Sequence, residues 1–384
     1  MFVARLPGGA IGLLIVLQAR HLGLSYAAGG LGVAGVSVGM AAGAPLLGRL
    51  ADRHGQPLVL HLSGATAALA LVAIGHVSGP HRELLLLSLS VLQGLVLPPV
   101  SACARAIWTS ALSREPLNAV LALDASLQEI SWMIGPLALT SMAVTAGPPI
   151  ALEATALLTW IATACFALIP EARATIHGRR TGRVGRTGAL HAAGVRLLVA
   201  VAVALGAGFG ATELGVVASA GKAHDVGATG LLFGAWSAGS FVAGLIAAQR
   251  PQASDPPRRM QLLLFGLAGT TALLAAMPTL WALAAGLVLA GVTVAPMFAI
   301  AYASIGAVAP AGTLTEAYAW ETGGLMVGIA LGSTVAGAIG RPAGMFVFAA
   351  AAVMVGTLIV WRRIADLRPR PDGVLPVEVA SAQG

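Results

Sequence analysis

The chain has 384 residues, of which 57% are hydrophobic and 10% charged, with a formal net charge of +7 and a mean hydropathy of +0.87. A water-soluble chain carries about 25% charged residues, so a soluble globular protein is excluded and a membrane protein is implied. The basic surplus does not argue for nucleic acid, because its arginines gather in short loops between apolar runs.

Twelve apolar runs follow one another, at about 2–19, 27–47, 58–77, 84–107, 119–146, 149–169, 196–219, 228–248, 260–278, 281–308, 317–338 and 343–361. Most have the length that a tilted helix needs to cross ~30 Å of hydrocarbon. Lipid leaves no partner for unpaired backbone groups, and no even alternation suggests a barrel, so each run is expected to be helical. Pro98, Pro99, Pro136 and Pro296 inside the runs are read as kinks or packing points rather than ends. The abundant Gly and Ala suit close helix packing. Cys103 and Cys165 lie inside apolar runs without metal-ligand spacing and read as small packing residues.

The first run contains Arg5 and Pro7 and shows no cleavable signal pattern. Arg5 is expected to snorkel to the inner surface, unless the true start lies upstream. Between the second and third runs lies Gly48-Arg49-Leu50-Ala51-Asp52-Arg53-His54-Gly55-Gln56-Pro57. This loop resembles the signature G-x-L-x-D-R-x-G-R/K-R/K of the major facilitator superfamily: Gly48, Leu50, Asp52, Arg53 and Gly55 match, while Gln56 and Pro57 depart from its basic end. The resemblance implies an all-α membrane protein with twelve transmembrane helices in two six-helix bundles. It also implies that Asp52 helps latch the two bundles together at the cytoplasmic side, against the N-terminal end of the eleventh helix.

The third run carries His61 and His76, which have no partner pattern for a metal. The fourth carries Gln93-Gly94, which resembles the end of the family pattern R-x-x-Q-G, with Ser90 at its Arg position, and it ends near Arg105. The fifth carries Asp124, Gln128, Glu129, Trp132 and Gly135-Pro136; the last two resemble part of the antiporter signature G-x-x-x-G-P-x-x-G-G and are expected to pack helices. The polar stretch 170–195 separates six runs from six and is read as a cytoplasmic linker between domains 1–169 and 196–362. The seventh run carries Glu213, the tenth Tyr302, and the eleventh Tyr318, Trp320 and Glu321 with Glu316 at its mouth. The tail 363–384 is polar and Pro-rich and is expected to be disordered.

An ionisable residue inside a span costs about 2.5–3.5 kcal/mol on insertion scales, so each calls for a reason. Arg105 and Asp124 fall at similar depth and are expected to form an interior ion pair. With Gly48, Asp52, Arg53, Gly55 and Glu321 they make up an expected cytoplasmic gate. Glu129 and Glu213 lie deeper. Loss of water favours the neutral form of a carboxyl, the property proton coupling needs, so these two are the proton-coupling candidates; a cationic-substrate site or a hydrogen-bonded structural acid are the other readings. Gln93, Gln128, Trp132 and Tyr302 are candidate cavity residues, with packing or interface anchoring the alternative for the aromatic side chains.

The two halves repeat weakly. A shift of 197 takes Gly94, Pro99, Asp124 and Gly135 to Gly291, Pro296, Glu321 and Gly332; a shift of 200 takes Ala28, Gly30, Leu31, Ser37 and Gly39 to Ala228, Gly230, Leu231, Ser237 and Gly239. Such a parallel repeat is that of a two-bundle transporter. With the N-terminus inside, nearly all arginines face the cytoplasm, and only Arg20, Arg82, Lys222 and Arg341 lie outside, so both termini are expected in the cytoplasm and the protein in the plasma (inner) membrane. No Gly-Lys-Ser/Thr phosphate loop, His-Glu-x-x-His or serine elbow is present, which argues against ATP drive and against an enzyme. The expectation is a monomeric secondary transporter without cofactor or metal, exporting small apolar or amphiphilic compounds in exchange for protons. Proton-coupled uptake and a non-transporting sensor on the same fold are the alternatives.

Overall fold

A computed structural model describes residues 2–177, 188–225, 227–250 and 255–367. The first part of the chain forms α1 (Phe2–His21), α2 (Tyr26–His54), α3 (Gln56–Gly75), α4 (Arg82–Leu95), α5 (Val100–Ala111), α6 (Arg114–Ala146), α7 (Pro148–Ala167) and the short α8 (Pro170–His177). The second part forms α9 (Ala193–Lys222), α10 (Ala228–Ala248), α11 (Pro256–Leu274), α12 (Leu280–Gly291), α13 (Val294–Val308), α14 (Leu314–Ile339) and α15 (Pro342–Arg363). Ten stretches among the described residues are helical, long and apolar enough to cross a bilayer, where twelve were expected. The two that fall short are the more polar ones. α6 carries Asp124, Gln128 and Glu129, and α11 opens on Pro256-Pro257-Arg258-Arg259.

The expected run 84–107 is one span, within Arg82–Ala111, but not one continuous helix: Val96-Leu97-Pro98-Pro99 separate α4 from α5 inside it, so Pro98 and Pro99 break the helix without ending the span. Two successive prolines remove two backbone donors, and Leu97 and Pro98, each preceding a proline, are turned away from helical geometry. The run 281–308 breaks at Val292-Thr293, ahead of Pro296 in the first turn of α13. Pro136 stays inside α6.

Helices are held together where glycine lets backbones touch, and the same contacts occur twice. In the α2–α4 pair, Gly39 lies on the carbonyl of Val91 and Gly94 on that of Val36; in the α10–α12 pair, Gly239 lies on the carbonyl of Val288 and Gly291 on that of Trp236. The four residues of one pair map onto the four of the other by the shifts of 200 and 197 seen in the sequence. The α1–α6 and α9–α14 pairs repeat in the same way: Gly135 lies on the carbonyl of Leu6, and its mate Gly332 on that of Ala207. A Cβ at any of these glycines would collide with backbone, which cannot turn aside.

The two parts of the chain meet along α2–α14, α6–α10 and α6–α13. The largest buried apolar cluster crosses that junction, joining Ala102, Ala106 and Leu121 to Phe298, Tyr302 and Tyr318. Of the stretch 170–195, residues 178–187 lie outside the described ones; the rest forms α8, a 3-10 turn at Ala189–His191 and the start of α9. Of the tail, residues 368–384 lie outside the described ones. Ile364–Leu367 form a 3-10 turn whose Leu367 is buried.

Candidate functional site

The loop after α2 is shaped by two glycines. Gly55 sits at φ +95°, where other residues are strained, and it ends α2 and begins α3 within one residue. Gly48 is buried on α14, and a Cβ there would lie 2.8 Å from the Ala319 side chain, 2.9 Å from the Thr315 carbonyl and 3.0 Å from Glu316 Cα. That approach brings Asp52, one turn on, to the start of α14. Its carboxylate accepts hydrogen bonds from the backbone N–H of Thr315 at 3.2 Å and of Glu316 at 2.8 Å. These are first-turn donors with no partner inside their own helix, and the helix dipole favours a negative charge at that point. Thr313, the residue at the N-cap, makes no side-chain cap bond, so Asp52 does the capping from another part of the chain. Gln56 adds an amide bond of 3.2 Å to the Cys103 carbonyl. Arg49 Nε lies 3.9 Å from Glu316. Arg53 is exposed and makes no ion pair among the described residues.

Deeper in the molecule four charges are buried together. Arg105 of α5 is 1% exposed and Asp124 of α6 3%. Arg105 Nε donates to Asp124 Oδ2 at 2.8 Å, and its Nη2 to Gln128 Oε1 at 3.0 Å. The guanidinium lies 3.5 Å over the Tyr302 ring, a desolvated cation–π contact. Glu321 of α14 is its remaining anionic neighbour, with Oε2 4.0 Å from Nη1. Arg5 completes the set. It is buried rather than snorkelling, since Nη2 meets Asp124 Oδ1 at 2.6 Å, Nη1 donates to the Asp124 carbonyl at 3.3 Å and Nε to Ser101 at 2.9 Å. In the sequence Arg5 had looked like a mismatch between an apolar run and its start; the partner that holds it inside lies 119 residues away. Tyr318 donates to the Tyr302 carbonyl at 2.9 Å and shares a 2.8 Å bond with Thr109 of α5, a second link between the two parts of the chain that no motif announces.

Farther along α6, Glu129 is half-buried; it lies near Ser240 of α10 and is within electrostatic reach of Glu213 of α9. Neither acid has an ion-pair partner among the described residues. Glu213 lies one turn beyond Phe209, which packs edge-on against Trp236 at 5.5 Å and on Phe298 at 6.0 Å. Phe298 stacks on Tyr302 at 5.7 Å, so an aromatic row runs from the acids to the buried arginine. Spacing signalled only the first step, since residues 209 and 213 share a helix face. Gln128 sits between the two charged levels. Trp132 is half-exposed, whereas Gln93 and Tyr302 are closed off in this conformation, and both amide atoms of Gln93 lack a protein partner. Gly135 and Pro136 lie against α1, at Leu6 and Gly9. His76 is exposed and bonds Glu153 at 2.8 Å.

Residues 1–249 match the family model of the Major Facilitator Superfamily. No curated protein matches the sequence. Among solved structures, the human organic anion transporter MFSD10 (TETRAN) superposes with a TM-score of 0.72 at 14% identity, covering 94% of this chain and 96% of that one. A bacterial homologue of the iron transporter ferroportin, in an outward-facing state with soaked iron, gives 0.69 at 13% identity, covering 94% and 96%. The proton:xylose symporter XylE bound to 6-bromo-6-deoxy-D-glucose gives 0.68 at 12% identity, covering 94% of each chain. At these identities the likeness is one of fold.

Proposed function

The chain belongs to the major facilitator superfamily, whose members are membrane transporters and not enzymes, and on that premise we propose that it exports small apolar or amphiphilic compounds in exchange for protons. As a secondary transporter of small molecules it works by alternating access. In our reading its halves, 1–169 and 196–362, are two six-helix bundles joined by the 170–195 linker. They make up twelve spans once α6 and α11 are counted as crossing, protected on their polar faces by protein. The Arg-rich ends face the cytoplasm.

The observation that carries the proposal is the pair Glu129 and Glu213, on α6 and α9 of the two halves and within electrostatic reach of one another, with no ion-pair partner among the described residues. Carboxyls so placed can each take up a proton when water is excluded and release it when the site opens. The lining beyond them is largely aromatic and aliphatic, which suits apolar substrates better than sugars. In this reading Asp52 on the start of α14 and the Thr109–Tyr318 bond are the contacts that close the cytoplasmic end. Glu129→Gln and Glu213→Gln are expected to abolish transport driven by a pH gradient in proteoliposomes while the variants still insert and run as monodisperse protein. Unchanged gradient-driven transport in both variants contradicts proton coupling at this pair.

A further inference from the structure

We propose that Arg105 is the subsite for the anionic head of the substrate, a carboxylate-bearing amphiphile, and that Glu321 balances the charge of this subsite when no substrate does. The inference rests on the alternating-access reading above and adds the substrate's charge to it.

The charges divide unevenly between the halves. Arg5, Arg105 and Asp124 belong to the first and leave it one positive charge in excess; Glu321 belongs to the second and supplies the balancing negative charge. The contacts are uneven as well. Asp124 receives guanidinium nitrogens at 2.6 and 2.8 Å, and Gln128 receives another at 3.0 Å. Glu321 stands at 4.0 Å from Nη1, beyond hydrogen-bond length. It balances the charge without filling the donor. When the cytoplasmic end opens, α14 carries Glu321 away and Asp124 stays. An excess charge in a dry site is costly, and the edge of Arg105 that faced Glu321 is the place for an incoming anion. A planar carboxylate fits a guanidinium edge through two parallel bonds. The apolar body of the same molecule has a wall to lie on, the row Tyr302, Phe298, Phe209 and Trp236. The opposite charge class is the rival, since Glu129 and Glu213 at the far end of that row suit an amine.

The test uses purified full-length protein in lipid nanodiscs and three probes of one shape, 2-naphthoate, neutral 2-naphthamide and cationic 2-naphthylmethylammonium, with affinity read from probe fluorescence. Naphthoate is expected to bind about tenfold tighter than the other two. Glu321→Gln removes the internal competitor and is expected to tighten naphthoate severalfold while leaving naphthamide unchanged; Arg105→Gln is expected to erase the preference for naphthoate. Because Arg105→Gln alters a buried network and can fail to fold, the Glu321→Gln result decides. Naphthoate binding no tighter than naphthamide, unchanged or weaker naphthoate binding in Glu321→Gln, or a preference for the cation overturns the assignment. Binding preference is independent of any gradient, so a failure here is distinguishable from a failure of proton coupling, which shows only in driven transport by the Glu129 and Glu213 variants.

Discussion

The junction of α2 with α14 and the junction of α10 with α6 are repeat-related, yet they are held by different forces. At the first, Gly48 brings α2 onto backbone atoms of α14 and the Asp52 carboxylate caps that helix. At the second, Gly244 of α10 lies against the Ser126 hydroxyl and the Ala295 methyl. The residue that a shift of 200 sets opposite Asp52 is Gln252, which lies outside the described residues. Packing by small residues has been kept in both halves, whereas the formal charge at this position stands in one. The junction with the carboxylate is therefore the one whose opening is expected to respond to charge, and the other is expected to respond to size.

The largest effect should come from removing the charge behind the first junction. Asp124→Asn leaves Arg5 and Arg105 facing one another with Glu321 as the nearest anion, and breaking a buried pair in this way costs about 3–5 kcal/mol. A fall in thermal-unfolding midpoint of the detergent-solubilised protein, larger than that of Ser126→Ala at the other junction, checks it. A middle-sized effect is expected from adding one methyl group at each junction. Gly48→Ala meets atoms of α14 that include backbone at 2.9 and 3.0 Å and should destabilise the closed end by about 1–3 kcal/mol, as overpacking does. Gly244→Ala meets the Ser126 hydroxyl, which can turn away from its bond to the Ala122 carbonyl, and the Ala295 methyl at 2.9 Å; with side chains rather than backbone in the way, it should cost less. Crosslinking yield across each junction, compared in the two variants, orders them; an equal loss at both junctions would show that rigid backbone contact does not set them apart.

What the sequence made legible follows the range of each interaction. The α2–α3 loop was readable because its requirements are local: a positive φ at Gly55 and a close approach at Gly48 leave fixed letters at fixed spacing. The repeat was readable because its glycines face backbone, which allows no substitute. The Arg105–Asp124 pair could be anticipated from matching depth in neighbouring helices. Arg5 could not, because depth at the end of a run is decided by a partner on α6, and a lone arginine near an interface ordinarily snorkels. The break at Pro98-Pro99 was hidden by hydropathy, which registers apolar length and not backbone donors. The Thr109–Tyr318 bond and the aromatic row depend on how the two halves meet, and no local spacing encodes that.

Asp52 caps α14 from α2, and in the proposed transport cycle that cap holds the cytoplasmic end closed. Charge-assisted capping of a helix terminus contributes about 1 kcal/mol, enough to change the ratio of two conformers about fivefold. With Cys103→Ala and Cys165→Ser as background, spin labels placed by His54→Cys and Ala311→Cys, both exposed positions at that end, report the separation by pulsed electron resonance. One short distance is expected when Asp52 is present, and a second, longer population in Asp52→Asn. Identical distance distributions with and without the carboxylate would contradict it.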